Sequence, residues 1–434
     1  MSDITLTPFA RPPSATLRPP GSKSLTNRAL ILAALARGRS TLTNVLLADD
    51  TRVMLDALRA LGFELQLDEA SRSVSIEGQA GKIPVASAEL FCGNSGTTLR
   101  FVSALCAIGR GSFTLDGIQR MRQRPIGELG TMLRNLGSRV EYGLEDGFPP
   151  LRILAGGLPG GRLHFSAAQS SQFLSAILQV APYARNELHV DLDWPQTSWP
   201  YVAMTMRLMD EFGGTPELMR DETSGVPEKI IVPQHCYTGR EYEVEPDASN
   251  ASYFLAAAAI RDGAKVTIEG LGRHSLQGDV GFADLLKKMG AEVIFGRDVI
   301  TITGTPELQG IDVSMADMPD MAQTLAVVAL FAEGPTHLRG LHTLRLKETD
   351  RIAALATELR KLGAEVDVEG DDLTIHPPKQ LNAAEIDTYD DHRMAMSFAV
   401  AGTRVPNITI KDAQCVNKTY PEFFTDLARL DKTV

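Results

Sequence analysis

A chain of 434 residues, 44% hydrophobic and 22% charged, has the composition of a soluble globular protein and is long enough for two or three domains. Its net charge of −11 argues against nucleic acid or an anionic membrane surface as the main partner, so a local cluster of Lys and Arg points to a small anionic ligand. Four scattered cysteines (Cys92, Cys106, Cys236, Cys415) form no CxxC and have no histidine cluster beside them, which argues against a disulfide framework or a metal site and fits a reducing, cytoplasmic compartment.

In chain order, no basic segment followed by an apolar one marks a signal peptide, and residues 4–7 read as a lone strand. Pro20-Gly21-Ser22-Lys23-Ser24-Leu25-Thr26-Asn27-Arg28 then places glycine, serines, a lysine and an arginine where an apolar helix begins. Leu30, Ile31, Ala34 and Leu35 keep the helical period, and Gly38 is expected to close it. Free N–H groups and the positive end of the dipole make such a start an anion site. It is not a nucleotide P-loop, which needs glycine directly before the lysine and another five residues earlier; Ser22 and Leu17 stand there.

Two words recur along the chain. Five predicted helices end alike, at Gly62, Gly137, Gly213, Gly290 and Gly363, with spacings of 75, 76, 77 and 73 residues. Glycine there is the expected left-handed stop. An alanine-rich helix end, a polar turn and a β-type stretch recur at 33–42, 104–115, 176–190, 256–268, 326–338 and 399–410. Each unit reads as helix, strand, helix and β-hairpin, the hairpin being clearest at 291–304 and 364–377. The sixth copy lacks its hairpin, and residues 4–7 are placed to supply part of it. This predicts an α/β protein of two three-unit domains, 21–240 and 1–20 plus 241–434, joined by a two-strand hinge near 19–21 and 240–243. The ligand site is expected in the cleft between them. The longest apolar runs, such as 325–332, are too short to span a bilayer.

The helix starts carry the chemistry. First helices are predicted to begin near Lys23, Asn94-Ser95-Gly96-Thr97, Ser170-Ser171-Gln172, Asp247, Asp320 and Asp391-His392-Arg393. Second helices are predicted near Asp50, Arg124-Pro125, Ser198-Trp199-Pro200-Tyr201, Gly278-Asp279, Lys347 to Arg351, and Lys418-Thr419-Tyr420-Pro421. Capping accounts for many of the hydroxyl and acidic residues. It does not account for Lys23, Arg124, Lys347, Arg351, Arg393 and Lys418, each opposing a helix dipole at a cost of about 0.3–1 kcal/mol. An anion would reverse the sign of that term. Lys347 and Arg351 are expected one turn apart on one helix face, with Glu348 beside them as an ion-pair member or a proton donor.

GSKSLTNR (21–28), GNSGTTLR (93–100), RQRPIGEL (122–129), SSQFLSA (170–176), DASNASYF (247–254), LKETDR (346–351), DHRMAM (391–396) and KTYPEFF (418–424) together resemble the 5-enolpyruvylshikimate-3-phosphate synthase family. The resemblance implies two domains of three βαβαββ units each, an inverted α/β barrel. It also implies transfer of the enolpyruvyl group of phosphoenolpyruvate to the 5-hydroxyl of shikimate 3-phosphate, without metal or organic cofactor. By similarity, Lys23, Ser24, Arg28, Ser170, Ser171, Gln172, Ser198, Tyr201, Asp320 and Lys347 would hold shikimate 3-phosphate. Lys23, Asn94, Gly96, Arg124, Gln172, Arg351, His392, Arg393 and Lys418 would hold phosphoenolpyruvate. Asp320 looks like the base, Glu348 like the acid and Lys23 like a proton relay. A monomer is implied, with glyphosate as an inhibitor in the phosphoenolpyruvate pocket. Thr343, Phe101 and Trp199 stand where relatives often have asparagine, proline and lysine. The sister transferase acting on UDP-N-acetylglucosamine carries a reactive cysteine just before the arginine matched by Arg124, and residues 110–124 contain none. A non-catalytic phosphate-ligand sensor would keep the cations without needing Asp320 or Glu348.

Overall fold

A computed structural model describes residues 3–166 and 170–432. The chain divides into two compact units, one running from Gly21 to Val244, the other joining the residues through Pro20 to those from Glu245 onward. The first unit holds helices α1 (Lys23–Leu35), α2 (Asp49–Ala60), α3 (Gly96–Ala107), α4 (Gly127–Asn135), α5 (Ser171–Val180) and α6 (Trp199–Glu211). The second holds α7 (Ala248–Ala259), α8 (Phe282–Lys288), α9 (Ala322–Ala329), α10 (Arg351–Lys361), α11 (His392–Gly402) and α12 (Phe423–Lys432).

The repeat is plainest around α3. Strand Ser87–Phe91 pairs parallel with Arg110–Asp116, which pairs antiparallel with Leu151–Gly156, itself antiparallel to Arg139–Tyr142. Five sheets share this four-strand order. In the sixth, Ile4–Thr5 pairs antiparallel with Ile408–Ile410 beside Ala384–Ile386, in the place of a hairpin strand. Two repeats take their first strand from a distant part of the chain. Glu241–Glu243 lies parallel to Arg37–Thr43, and Ser14–Leu17 parallel to Lys265–Glu269. That pairing, with Asn44 Nδ2 donating to the Val244 carbonyl at 2.8 Å, puts residues 241–244 in the first unit rather than the second.

Helix chemistry explains both recurring words. Gly62, Gly137, Gly213, Gly290 and Gly363 follow the second helices with φ of 85–114° or thereabouts, the left-handed stop that costs an L-residue most. Gly38 does not close α1, which ends at Leu35 with Ala36 as its cap; Gly38 lies in the next strand. The first helices of the repeats are inner helices. α1, α3 and α5 touch one another, as do α7, α9 and α11, and α3, α7, α9 and α11 are buried at every residue. Alanine keeps such helices close, and Ser252, Thr324 and Ser397, one per helix, link hydroxyls at 3.3 Å inside the second trio. The second helices α2, α4 and α10 are amphipathic, though Asp50 of α2 and Arg351 and Glu358 of α10 are charged residues on the buried side. No helix among the described residues is long and apolar enough to cross a membrane.

Candidate active site

In the first unit the inner helices start on polar caps. Ser22, Ser95 and Ser170 accept from the backbone N–H groups of Leu25, Thr98 and Gln172. Arg28, one turn past Ser24, turns inward and is only 2% exposed. Its Nε donates to Thr205 Oγ1 at 2.7 Å and its Nη1 to the Ser24 carbonyl at 3.0 Å. Nη2 donates to Ser175 Oγ at 3.3 Å and the Tyr201 carbonyl at 3.4 Å, and the guanidinium lies 5.1 Å from the centre of the Phe101 ring. Every one of these acceptors is neutral, and among the described residues Arg28 has no carboxylate partner. Burial pushes it down to about 10. A buried charge so placed is expensive until an anion meets it.

A second group gathers at the starts of α3 and α5. Arg124 is buried and donates through Nη1 to the Asn94 carbonyl at 3.2 Å. Gly96 leaves room for it: a Cβ there would stand 2.7 Å from Arg124 Nη2. Arg100, one turn further along α3 and not among the expected site residues, donates to Gln172 Oε1 at 2.6 Å and stacks on Phe173 at 5.2 Å. Its position four residues after Gly96 was the available signal. Lys23 pairs with Asp50 of α2 at 3.5 Å. Ser198 caps α6 with φ of 56°, a left-handed serine beside Tyr201 and beside Trp199, whose ring meets Trp194 edge-on at 5.5 Å.

The second unit gathers the other expected residues into one ion network. Asp320 meets Arg393 Nη2 at 3.0 Å, Arg351 Nη1 at 3.1 Å and Lys347 Nζ at 3.4 Å. Glu348 meets Arg351 Nη2 at 2.8 Å and Lys418 Nζ at 3.6 Å. Asp391, fully buried, takes Arg351 in two hydrogen bonds of 2.7 and 3.1 Å while capping α11 through the Arg393 N–H. Burial alone would lower Arg351, but Asp391, Glu348 and Asp320 outweigh it and hold the guanidinium above its ordinary value. His392 is buried, with Nδ1 3.7 Å from Asp391. Thr343 is buried too, and its hydroxyl has no hydrogen-bond partner among the described residues.

Three expectations about helix starts are corrected. α4 begins at Gly127, leaving Arg124 at the end of a 3-10 turn, Met121–Gln123. α12 begins at Phe423, and Lys418 ends a 3-10 turn, Ala413–Lys418, where a cation complements the local dipole. Lys347 lies before α10 in extended backbone, so Lys347 and Arg351 do not share a helix face; they meet at Asp320 instead.

A family model described as EPSP synthase (3-phosphoshikimate 1-carboxyvinyltransferase) matches residues 10–427. A 3-phosphoshikimate 1-carboxyvinyltransferase of Shewanella sp. (strain W3-18-1) is 47% identical, covering 95% of both chains. A chloroplastic 3-phosphoshikimate 1-carboxyvinyltransferase of Nicotiana tabacum is 45% identical over 99% of this chain and 85% of its own. Among solved structures, an EPSP synthase from Acinetobacter baumannii superposes with a TM-score of 0.82 at 28% identity, covering 99% of this chain and 98% of that one.

Proposed function

The chain belongs to the EPSP synthase (3-phosphoshikimate 1-carboxyvinyltransferase) family, and from that membership we propose how its residues divide the work. The reaction transfers the enolpyruvyl group of phosphoenolpyruvate to shikimate 3-phosphate, in aromatic amino-acid biosynthesis. The observation that carries the assignment is Arg28, a buried guanidinium whose acceptors among the described residues are all neutral. It is the seat for the phosphate of shikimate 3-phosphate, with Lys23, Ser24, Ser170, Ser171, Gln172, Ser198 and Tyr201 around it. Asp320 and Lys347 contact the same substrate. Phosphoenolpyruvate is held by Arg124, Asn94, Gln172 and the space at Gly96, and by Arg351, His392, Arg393 and Lys418, with Lys23 shared.

The substrate hydroxyl adds to C2 of phosphoenolpyruvate while Asp320 takes its proton and Glu348 gives one to C3. From the tetrahedral adduct, phosphate leaves as a proton is withdrawn from the new methyl group, and Lys23 relays protons near the leaving phosphate. Fixed cations stabilise the developing charge. The reading extends to a cytoplasmic monomer that glyphosate inhibits at the phosphoenolpyruvate site.

A phosphate-release assay tests it. Release should require both substrates and should fall about 10²–10⁴-fold in Glu348→Gln, the range for loss of an acid–base group. Release with UDP-N-acetylglucosamine in place of shikimate 3-phosphate would overturn the substrate assignment. Unchanged turnover in Glu348→Gln would remove that residue from the chemistry.

A further inference from the structure

We propose that Glu358 and Tyr389 are positioning residues that hold a strained turn and so deliver Asp391 to Arg351. The Asp391 N–H donates to the Thr388 carbonyl at 2.9 Å, closing a turn whose central residues, Tyr389 and Asp390, have φ of 55° and 54°. Two left-handed residues in succession are ordinary for glycine or asparagine and unfavourable for an aromatic side chain. The turn therefore needs an external hold.

Glu358 of α10 supplies it. The carboxylate is fully buried: Oε1 accepts from the Tyr389 hydroxyl at 2.6 Å, and Oε2 from the Asp387 N–H at 3.1 Å. Lys361 meets Glu358 Oε2 at 2.7 Å and Asp387 Oδ2 at 2.7 Å, tying down the chain before the turn. Glu358 follows Arg351 by seven residues, two turns along the same face of α10. One helix thus grips the 387–391 segment twice, through Glu358 on Tyr389 and Asp387, and through Arg351 on Asp391. A buried carboxylate adds little stability over an apolar side chain of its size. Two of its donors come from Asp387, just before the strained turn, and from Tyr389, inside it, so its contribution is to fix geometry.

The inference rests on the reading of Arg351 as a phosphoenolpyruvate-binding residue. In the full-length protein, Tyr389→Phe deletes one hydroxyl and keeps the ring. The expected result is a roughly tenfold rise in KM for phosphoenolpyruvate, in line with loss of a hydrogen bond to a charged acceptor, and a KM for shikimate 3-phosphate within about twofold. Asp390→Gly relaxes an exposed turn position; alone it should leave both constants near wild type, and combined with Tyr389→Phe it should restore most of the loss. A hydroxyl that merely stabilised the fold would not be replaced by a glycine one residue away. An unchanged phosphoenolpyruvate KM in Tyr389→Phe, equal losses for both substrates, or no rescue by Asp390→Gly would each overturn the proposal. If the wild-type protein releases no phosphate from these substrates, the reading of the site has failed instead. A crystal structure of Tyr389→Phe then decides the turn: Asp391 drawn away from Arg351 supports the positioning role, and an intact two-bond pair overturns it.

Discussion

Gly96 offers the sharpest perturbation, because stability and binding should move in opposite directions. It is the first residue of α3, and an alanine Cβ there would stand 2.7 Å from Arg124 Nη2, 2.9 Å from Arg124 Cζ and 3.1 Å from Arg100 Nη1. Non-bonded heavy atoms settle near 3.5 Å, so the Arg124 guanidinium must retreat by about 0.7 Å or more. That group is the far end of a flexible side chain and can move without shifting backbone. Alanine is meanwhile the better helix former by up to about 1 kcal/mol, worth roughly 2–4 °C in Tm for a domain this size. The melting temperature of Gly96→Ala should therefore hold or rise slightly.

Binding should suffer. A charged hydrogen bond spoiled by such a displacement costs about 1.5–3 kcal/mol, and each 1.4 kcal/mol is tenfold. The KM for phosphoenolpyruvate should rise about ten- to a hundredfold, while that for shikimate 3-phosphate stays within twofold, since the atoms nearest the new methyl belong to Arg124 and Arg100 and not to Arg28, the proposed seat of its phosphate. Steady-state phosphate release with each substrate varied in turn, beside a thermal melt, reads both arms. An unchanged phosphoenolpyruvate KM, equal losses for both substrates, or a Tm fall of more than about 5 °C would refute the reasoning.

Arg28→Met removes a buried charge that has no carboxylate partner among the described residues and leaves Thr205 and Ser175 bonded to each other at 2.9 Å, so urea unfolding should change by no more than about 1 kcal/mol while affinity for shikimate 3-phosphate drops about a hundredfold or more. Collapse of stability with affinity retained would exclude the anion role. Burial raises Glu128 from 4.5 to about 7, so between those values the folded chain binds more protons than the unfolded one and loses stability as pH rises. Glu128→Gln should flatten the Tm profile across that window; a profile parallel to wild type would contradict the burial argument. Shikimate 3-phosphate alone should raise Tm more than phosphoenolpyruvate alone at matched concentration, because Arg28 waits without a counter-charge while Arg351 already has three. The reverse order would overturn that distinction.

The repeat was legible because its signals are local. A left-handed glycine after a helix and an alanine-rich inner helix are set by residues within one turn, and Gly62 through Gly363 mark the same stop five times. The starts of α4 and α12 are obscured in the sequence for the same reason. Proline one to three residues after a cation looks like a first helical residue, yet Pro125 and Pro421 both precede the helix, and only the packed backbone shows it. Arg100 and Asp391 went unassigned because their partners are remote in sequence: Gln172 lies 72 residues from Arg100, and Arg351 lies 40 from Asp391. No periodicity records such pairs.

The sequence treats Lys23, Arg124, Lys347, Arg351, Arg393 and Lys418 as equivalent cations, each needing an anion to offset a dipole. The structure shows cations of two kinds, and the first is Arg28, which lies inside α1 and not at a helix start. Arg28 in the first unit is held by hydroxyls and carbonyls, so its desolvation is uncompensated until a ligand arrives. In the second unit Arg351, Arg393, Lys347 and Lys418 are already paired with Asp320, Glu348 and Asp391. An anion entering there competes with carboxylates for the same donors. Asp391 is fully buried and also caps α11, whereas the Asp320 and Glu348 side chains are 18% and 8% exposed, so it is these two that an entering anion would displace from their cations. Under the proposed roles, those are the two carboxylates that handle protons. Binding of phosphoenolpyruvate would then release them at the moment the chemistry requires, which makes the internal ion pairs part of the catalytic cycle rather than a rival to it.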